Sequence, residues 1–261
     1  MEMTSLPSRT FSARWHVKPL LLVVLIVLIM IGSAVNTQVT AEFSWDQFIN
    51  IIQKMVRPDW SYIPTIIQPM LQTLQMAIVG TVVGALLALP FSVLAARNLI
   101  KQRWVRGGIR FFLNLIRALP DLLLGALFVA VVGIGPMAGV GALSVFSFGM
   151  VSKLFYEAIE TIDEGPLDAL KAAGANGAQI ILFAVIPQVF NQFLSYFLYT
   201  LEINVRASTI LGYLGAGGVG LYLSQTMSMF RYDRTIIVIL MILAVVIVVD
   251  GISNRAREAL A

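Results

Sequence analysis

The chain has no cysteine and a single histidine, His16, among its 261 residues. It can therefore form no disulfide framework and no thiolate metal site. With His16 alone in the N-terminal tail, histidine-based catalysis and multi-histidine metal centres are excluded too. Charge is also scarce. Asp, Glu, Lys and Arg make up 12% of the residues, 58% are hydrophobic, and mean hydropathy is +0.86. Ordinary soluble domains carry about 25% charged residues, so this composition is that of a polytopic membrane protein. The net charge of +4 would point to nucleic acid in a soluble chain; here it belongs to Lys- and Arg-rich cytoplasmic loops. No Gly-Lys dipeptide occurs, so the chain has no phosphate-cradling G-x-x-x-x-G-K-[ST] loop, and ATP, if it drives this protein, binds another chain. No repeat of 20 to 50 residues is visible, and the reading is of a single domain.

Apolar runs and basic clusters set the expected topology. Arg9, Arg14 and Lys18 precede a run over residues 20–34, the charge order of either a cleavable signal or a first span; an uncleaved span is the preferred reading. Residues 40–65 mix Glu42, Trp45, Asp46, Phe48, Lys54, Arg57, Asp59 and Trp60, as an interfacial segment on the outer surface would. A second span covers 67–96, where Gly80, Gly84 and Ala88 recur every four residues and permit close helix approach. Arg97, Lys101, Arg103, Arg106 and Arg110 then mark a cytoplasmic connection. Residues 122–152 carry no charge and are too long for one span, so Gly133-Ile134-Gly135-Pro136 should break them into spans three and four. Span five is expected over 178–201 and span six over 235–252, with Arg255 and Arg257 inside and residues 202–234 outside despite Arg206, Arg231 and Arg234. The result is six transmembrane helices with both termini cytoplasmic. Residues 1–65 form a tail, a first helix and an outer segment, and residues 66–261 form the core.

Between spans four and five lies a polar stretch rich in small residues, 164–187. Pro166 suits a helix start and Gly174 the left-handed position past a helix end, predicting a short helix over 167–173. Asn176 and Gln179 have capping-box spacing for a second helix. Asp168-Ala169-Leu170, Gly174-Ala175 and Ile186-Pro187 together resemble the EAA loop of ABC importer permeases. Asp168 replaces the usual Glu, Leu170 the second Ala and Ile186 the Leu. The resemblance implies that the loop, within 157–179, is a cytoplasmic coupling helix docking into a cleft on a separate ATPase.

Gly215-Ala216-Gly217-Gly218-Val219-Gly220 fits the dinucleotide fingerprint G-x-G-x-x-G. That fingerprint has meaning only in a βαβ unit, and this one lies between transmembrane helices. Instead, the stretch from Glu202 through Asn204, Arg206 and Ile210-Leu211-Gly212 to this glycine run resembles phosphonate-type ABC permeases. So do Glu157, Ala158, Gly165-Pro166 and Arg117-Ala118-Leu119-Pro120, and the resemblance covers most of residues 66–250. Methionine-type permeases share the glycine run but are less similar before it. The family implies a type I importer permease working as a homodimer with a cytoplasmic ATPase dimer and an extracytoplasmic binding protein in the bacterial inner membrane. ATP and Mg would sit on the ATPase, and no cofactor on this chain.

Periodicity adds an independent observation. Gln188, Asn191, Gln192, Ser195, Tyr199 and Glu202 fall within an arc of about 100° on one helix. They are either helix-to-helix hydrogen-bond glue or the lining of a wet translocation path. Gln68, Gln72 and Gln75 make a shorter stripe. Arg206 would suit a bidentate oxyanion at the outer mouth or pair with Glu202, and Arg117 would pair with Asp121 or snorkel to the interface. Candidate path or gate residues are thus the stripe with Asn204, Arg206, Gly215, Gly217, Gly218 and Gly220; candidate coupling residues are Asp168, Ala169, Leu170, Gly174, Ala175 and Pro187. The expected function is a permease for phosphonate-like oxyanions, with phosphite or another small oxyanion as the alternative within the family. An ion-coupled secondary transporter would need a charged relay at mid-membrane, which spans one, two, four and five lack by this topology. A membrane enzyme of lipid metabolism would need clustered Asp, His or metal ligands, and none is present.

Overall fold

A computed structural model describes residues 14–36 and 44–260, with side-chain surroundings from Leu21 to Gly32 and from Ser44 onward. The expectations for Arg9 and Glu42 fall outside the described residues. The chain divides into two compact units, residues 1–49 and 50–261. The first holds α1 (Arg14–Asn36), which contains the whole first apolar run, and the start of α2 (Trp45–Met55), an amphipathic helix that crosses the boundary.

Among its described residues the second unit has helices as its only regular structure. A 3-10 turn (Trp60–Tyr62) leads into α3 (Ile63–Ala95). Next come α4 (Arg103–Ala118) and α5 (Asp121–Val132), bent by 86°. The bend sits at Leu119-Pro120 because proline cannot donate a backbone hydrogen bond and forces its predecessor into extended backbone; Leu119 has ψ 124°. The basic residues from Arg103 to Arg110, expected in a connection, therefore lie on a helix of their own that leads into the bend. Gly133 to Gly135 break the chain as expected, and α6 (Pro136–Glu160) begins immediately.

α3 and α6 form the axis of the bundle. A Cβ on Gly84 would lie 2.5 Å from Ser147 Cβ and 2.6 Å from Ser144 O, so the two backbones touch where a side chain would hold them apart. Three buried layers follow α3 along its length. The inner layer joins Ala88, Ala95, Leu113, Val151, Phe155 and Val185. The middle layer joins Met76, Leu143, Leu211 and Ala216, and the outer layer Ile66, Met70, Val219 and Ile237. At the C-terminal end of α3 Arg110 donates to Ala95 O at 3.0 and 2.9 Å and pairs with Glu160, capping α3 with a charge from the neighbouring helix.

After α6 come α7 (Gly165–Ala172), α8 (Gly177–Ile180), a π-helical turn (Ile181–Val185), α9 (Ile186–Leu211) and a second π-helical turn (Gly212–Ala216). Residues 177–216 are thus one helical run of 40 residues. α10 (Val219–Ser228) and α11 (Tyr232–Glu258) complete the unit. This corrects two expectations. The helix expected to end at residue 201 continues to Leu211, so Glu202 and Arg206 stand on the second half of α9 rather than in a connection after it, and Asn204 between them meets Thr81 near the centre of α3 and Ser147 near the centre of α6. The centre of span five is consequently charged, and only Arg231 and Arg234 of the expected outer group stand at the rim. The physical reason is that α11 supplies the opposite charges, which removes the need for Glu202 and Arg206 to reach water.

The rim where α3 and α11 begin is fastened by Asp59, whose backbone N–H donates to Asp233 O at 3.0 Å and whose carboxylate accepts from Ser61 and from Arg234 Nε at 3.1 Å. The Ser61 hydroxyl holds the Asp59 carboxyl below its ordinary value of 3.8; burial opposes it, and Arg234 adds to the lowering. With the folded value depressed, the clasp contributes fully above the unfolded value and is lost as pH falls through the folded one. Amide exchange at Asp59 and Tyr62, corrected for intrinsic rate, should therefore accelerate below the ordinary carboxyl range, and Asp59→Asn should show that faster exchange at neutral pH. A second test concerns the α3–α6 contact: Gly84→Val should destabilise the bundle by about 3 kcal/mol. Gly107→Ala, which meets nothing within 4 Å, should shift stability by no more than about 0.5 kcal/mol in the same thermal-unfolding assay.

Candidate functional site

The connection between α6 and α9 is built as a rigid knuckle. Leu167 is buried beneath α7 with Ile180 and Ala184, and Leu99, Ile162, Leu170 and Ala175 pack around them. α7 ends in a Schellman motif: Gly174 N–H donates to Lys171 O at 3.0 Å and Ala175 N–H to Leu170 O at 2.9 Å. Gly174 takes φ +80°, the left-handed conformation expected of it. Asn176 and Gln179 form the expected capping box, Gln179 N–H donating to Asn176 Oδ1 at 2.9 Å and Asn176 N–H to Gln179 Oε1 at 2.8 Å. The helix occupies Gly165–Ala172 rather than 167–173. Pro166, Asp168, Ala169, Ala172 and Gly174 are left exposed, a shallow surface of small residues with Asp168 paired to Lys171 at 2.9 Å. Pro187 lies exposed just past the first π-helical turn, the local widening that accommodates its missing N–H.

The polar stripe of α9 divides into three parts. Gln188 braces the knuckle, accepting from Asp163 N–H at 3.1 Å and donating to Ala184 O at 2.8 Å. Asn191 and Ser195 make no side-chain hydrogen bond among the described residues, and Gln192 donates only to Tyr196 Oη at 3.0 Å. All three lie on the side of α9 opposite Val189, Thr200, Asn204 and Ala207, which are buried against the rest of the bundle. Above them the stripe meets α11. Arg257 lies 5.9 Å over the Tyr199 ring and donates to Glu202 Oε2 at 2.9 Å; Arg206 pairs with Glu202 and, at 3.2 Å, with Asp250. Two acids and two arginines thus form an electroneutral knot, and Arg206 is already shared between two carboxylates. Asp250 was missed by sequence reasoning, and Arg257 was read only as a cytoplasmic charge. The signal was an isolated acid in the otherwise apolar run of α11.

Asn204 is not on the stripe. It is fully buried on the opposite face, where its amide donates to Thr81 Oγ1 at 2.7 Å and Ser147 Oγ at 2.6 Å, joining α3, α6 and α9 at their centres. The glycine run serves a tight break between α9 and α10. Gly217 and Gly218 take φ +82° and +68°, and Val219 N–H donates to Thr73 Oγ1 at 2.8 Å. Gly215 also has positive φ, and a Cβ on Gly220 would overlap Thr209 O. No strand occurs among the described residues, so the run has none of the context of a dinucleotide site. Gln68 and Gln75 are exposed and Gln72 is half-buried. Arg117 and Asp121 do not pair, because the bend at Pro120 separates them. Among the described residues no three His, Cys, Asp or Glu side chains are grouped to hold a metal.

Residues 88–257 match the family described as binding-protein-dependent transport system inner membrane component. Over 201 residues the chain is 43% identical to the phosphite transport system permease protein PtxC of Stutzerimonas stutzeri, covering 77% of this chain and 73% of that one. It is 35% identical to the phosphate-import permease protein PhnE of Mycolicibacterium smegmatis, over 82% of this chain and 40% of that one. Among solved structures it superposes on the MetNI methionine ABC transporter in an inward-facing conformation with a TM-score of 0.69 at 22% identity, over 78% of this chain and 99% of that one. The chain therefore belongs to the family of binding-protein-dependent transport system inner membrane components, and it is a membrane-embedded permease subunit of type I ABC importer fold, not an enzyme.

Proposed function

We propose that the chain is the permease of an ATP-driven importer of phosphite-class oxyanions, a group that includes phosphonates and phosphate. The observation that carries the substrate class is the 43% identity to a phosphite permease. Two copies of the chain form the pathway between them, and the open part of the α9 stripe, Asn191, Gln192 and Ser195, lines it. In support, these polar groups point away from their own bundle, and Asn191 and Ser195 find no side-chain partner within it while Gln192 meets only Tyr196 of its own helix, an arrangement that hydrocarbon penalises and a hydrated path favours. The α9–α11 knot, with Glu202 and Arg206, holds the middle of the path in shape, and the glycine break at Gly215, Gly217, Gly218 and Gly220 holds its outer part. Asn204 acts indirectly, by fixing α9 against α3 and α6.

Asp168, Ala169, Leu170, Gly174, Ala175 and Pro187 build the knuckle that docks into the ATPase, which carries ATP and Mg. A binding protein delivers the anion at the outer face. Six spans result when the bent α4–α5 pair counts as one and α1 as another, and the basic clusters put both termini in the cytoplasm. The core then begins near residue 66.

The complex of this chain with its ATPase and binding protein, reconstituted in vesicles, should take up phosphite, a phosphonate or phosphate in an ATP-dependent manner. A complex that moves none of the three removes the substrate reading. In the same vesicles Asn191→Leu and Ser195→Leu should each lower uptake without lowering the melting temperature of the complex. Coupling is tested at Gly174, where a Cβ meets nothing within 4 Å but φ is +80°. Gly174→Val should leave the permease folded, since the strain is local, and abolish uptake together with substrate-stimulated ATP hydrolysis. Native rates of both would sink the docking role of the knuckle.

A further inference from the structure

We infer that Arg117, at the break between α4 and α5, is the anion contact inside the permease and receives the transported oxyanion on its guanidinium. This rests on the importer reading above and names a residue within it. The stem of Arg117 packs beside Gly149, next to the midpoint of α6: a Cβ on Gly149 would lie 3.0 Å from Arg117 Cγ. The side chain is exposed in the single chain, and among the described residues no carboxylate lies within 4 Å of it. Asp121, one turn further on, has turned its carboxylate to its own helix start, accepting from Leu122 N–H at 2.9 Å.

The other charges placed deep in the bundle are treated differently. Glu202, Arg206, Asp250 and Arg257 neutralise one another, which leaves Arg206 little capacity for a passing anion. Arg117 is a permanently charged group at mid-bundle with its fork unoccupied. A guanidinium held there needs an anion or water, because hydrocarbon solvates it poorly. Its planar pair of N–H donors fits two oxygens of a phosphite-class anion. On the same face of α6, one turn toward the cytoplasm from Gly149, stands Lys153, held only by a 3.4 Å pair with the exposed Glu157. A second cation therefore follows the first along the inward direction.

The absence of cysteine permits a direct test. In the reconstituted complex, Arg117→Cys should lower phosphite uptake by about tenfold. Aminoethyl methanethiosulfonate, which restores a positive charge on the introduced thiol, should recover much of the rate; the neutral methyl reagent should not. Excess phosphite should slow modification of the thiol by about threefold or more, as expected of a site it occupies. Uptake by Arg117→Cys within about twofold of native, equal rescue by the neutral reagent, or rescue without protection by phosphite would each overturn the inference. The last outcome would mean that the charge meets an acid of the second copy instead. If Arg117→Cys does not assemble with the ATPase, Arg117→Lys and Arg117→Gln carry the contrast. Uptake about fivefold higher for Lys is expected, and equal uptake overturns the inference. Wild-type vesicles that import none of the three anions would instead indict the substrate reading itself, before any variant is compared.

Discussion

The contact between α3 and α6 is the constraint on which the rest of this structure depends. Water-driven burial cannot hold helices together inside lipid, so association relies on close packing and on the few hydrogen bonds available. Gly80 and Gly84 let the two backbones meet, and at the same height Asn204 reaches from α9 to Thr81 and Ser147. Three helices are thereby fixed at their centres. With the buried face of α9 held there, its polar stripe must point the other way.

The same scarcity of solvent governs the breaks and the charges. Every interruption of a helix within the bundle has its compensation. Pro120 starts α5 as its N-cap, Pro187 follows a π-helical turn, and the glycine break hands Val219 N–H to Thr73. Likewise the mid-bundle arginines are neutralised except Arg117. A group left unsatisfied where all its counterparts are satisfied is where a transported anion has the most to gain by binding.

The knuckle at residues 164–187 illustrates local legibility. Gly174, the Asn176 and Gln179 box and Pro166 specify their conformations through backbone chemistry within a few residues, so the sequence alone predicted both ends of α7 and the start of the next helix to within two residues. The glycine spacing in α3 was readable for the same reason: it needs only a partner helix, whichever that is. The Asp168 and Pro187 pattern also sufficed to resemble the family to which the chain belongs.

Charge placement was not legible in this way. A linear reading ended span five before Glu202 because an acid near the end of an apolar run ordinarily marks the interface, and it placed Arg206 at an outer mouth. Asp250 and Arg257 reverse that conclusion only by being brought alongside from a helix more than 40 residues away. Arg117 was likewise assigned a snorkelling or paired role from its i, i+4 spacing to Asp121, which the bend of 86° abolishes. The sequence by itself determined that the chain is a membrane bundle with a capped knuckle between two of its helices, since hydrophobicity, capping and turn chemistry act within one segment. Only the tertiary structure decided which charges are silenced and which stays free, because the energy of a buried charge depends on what other segments place beside it.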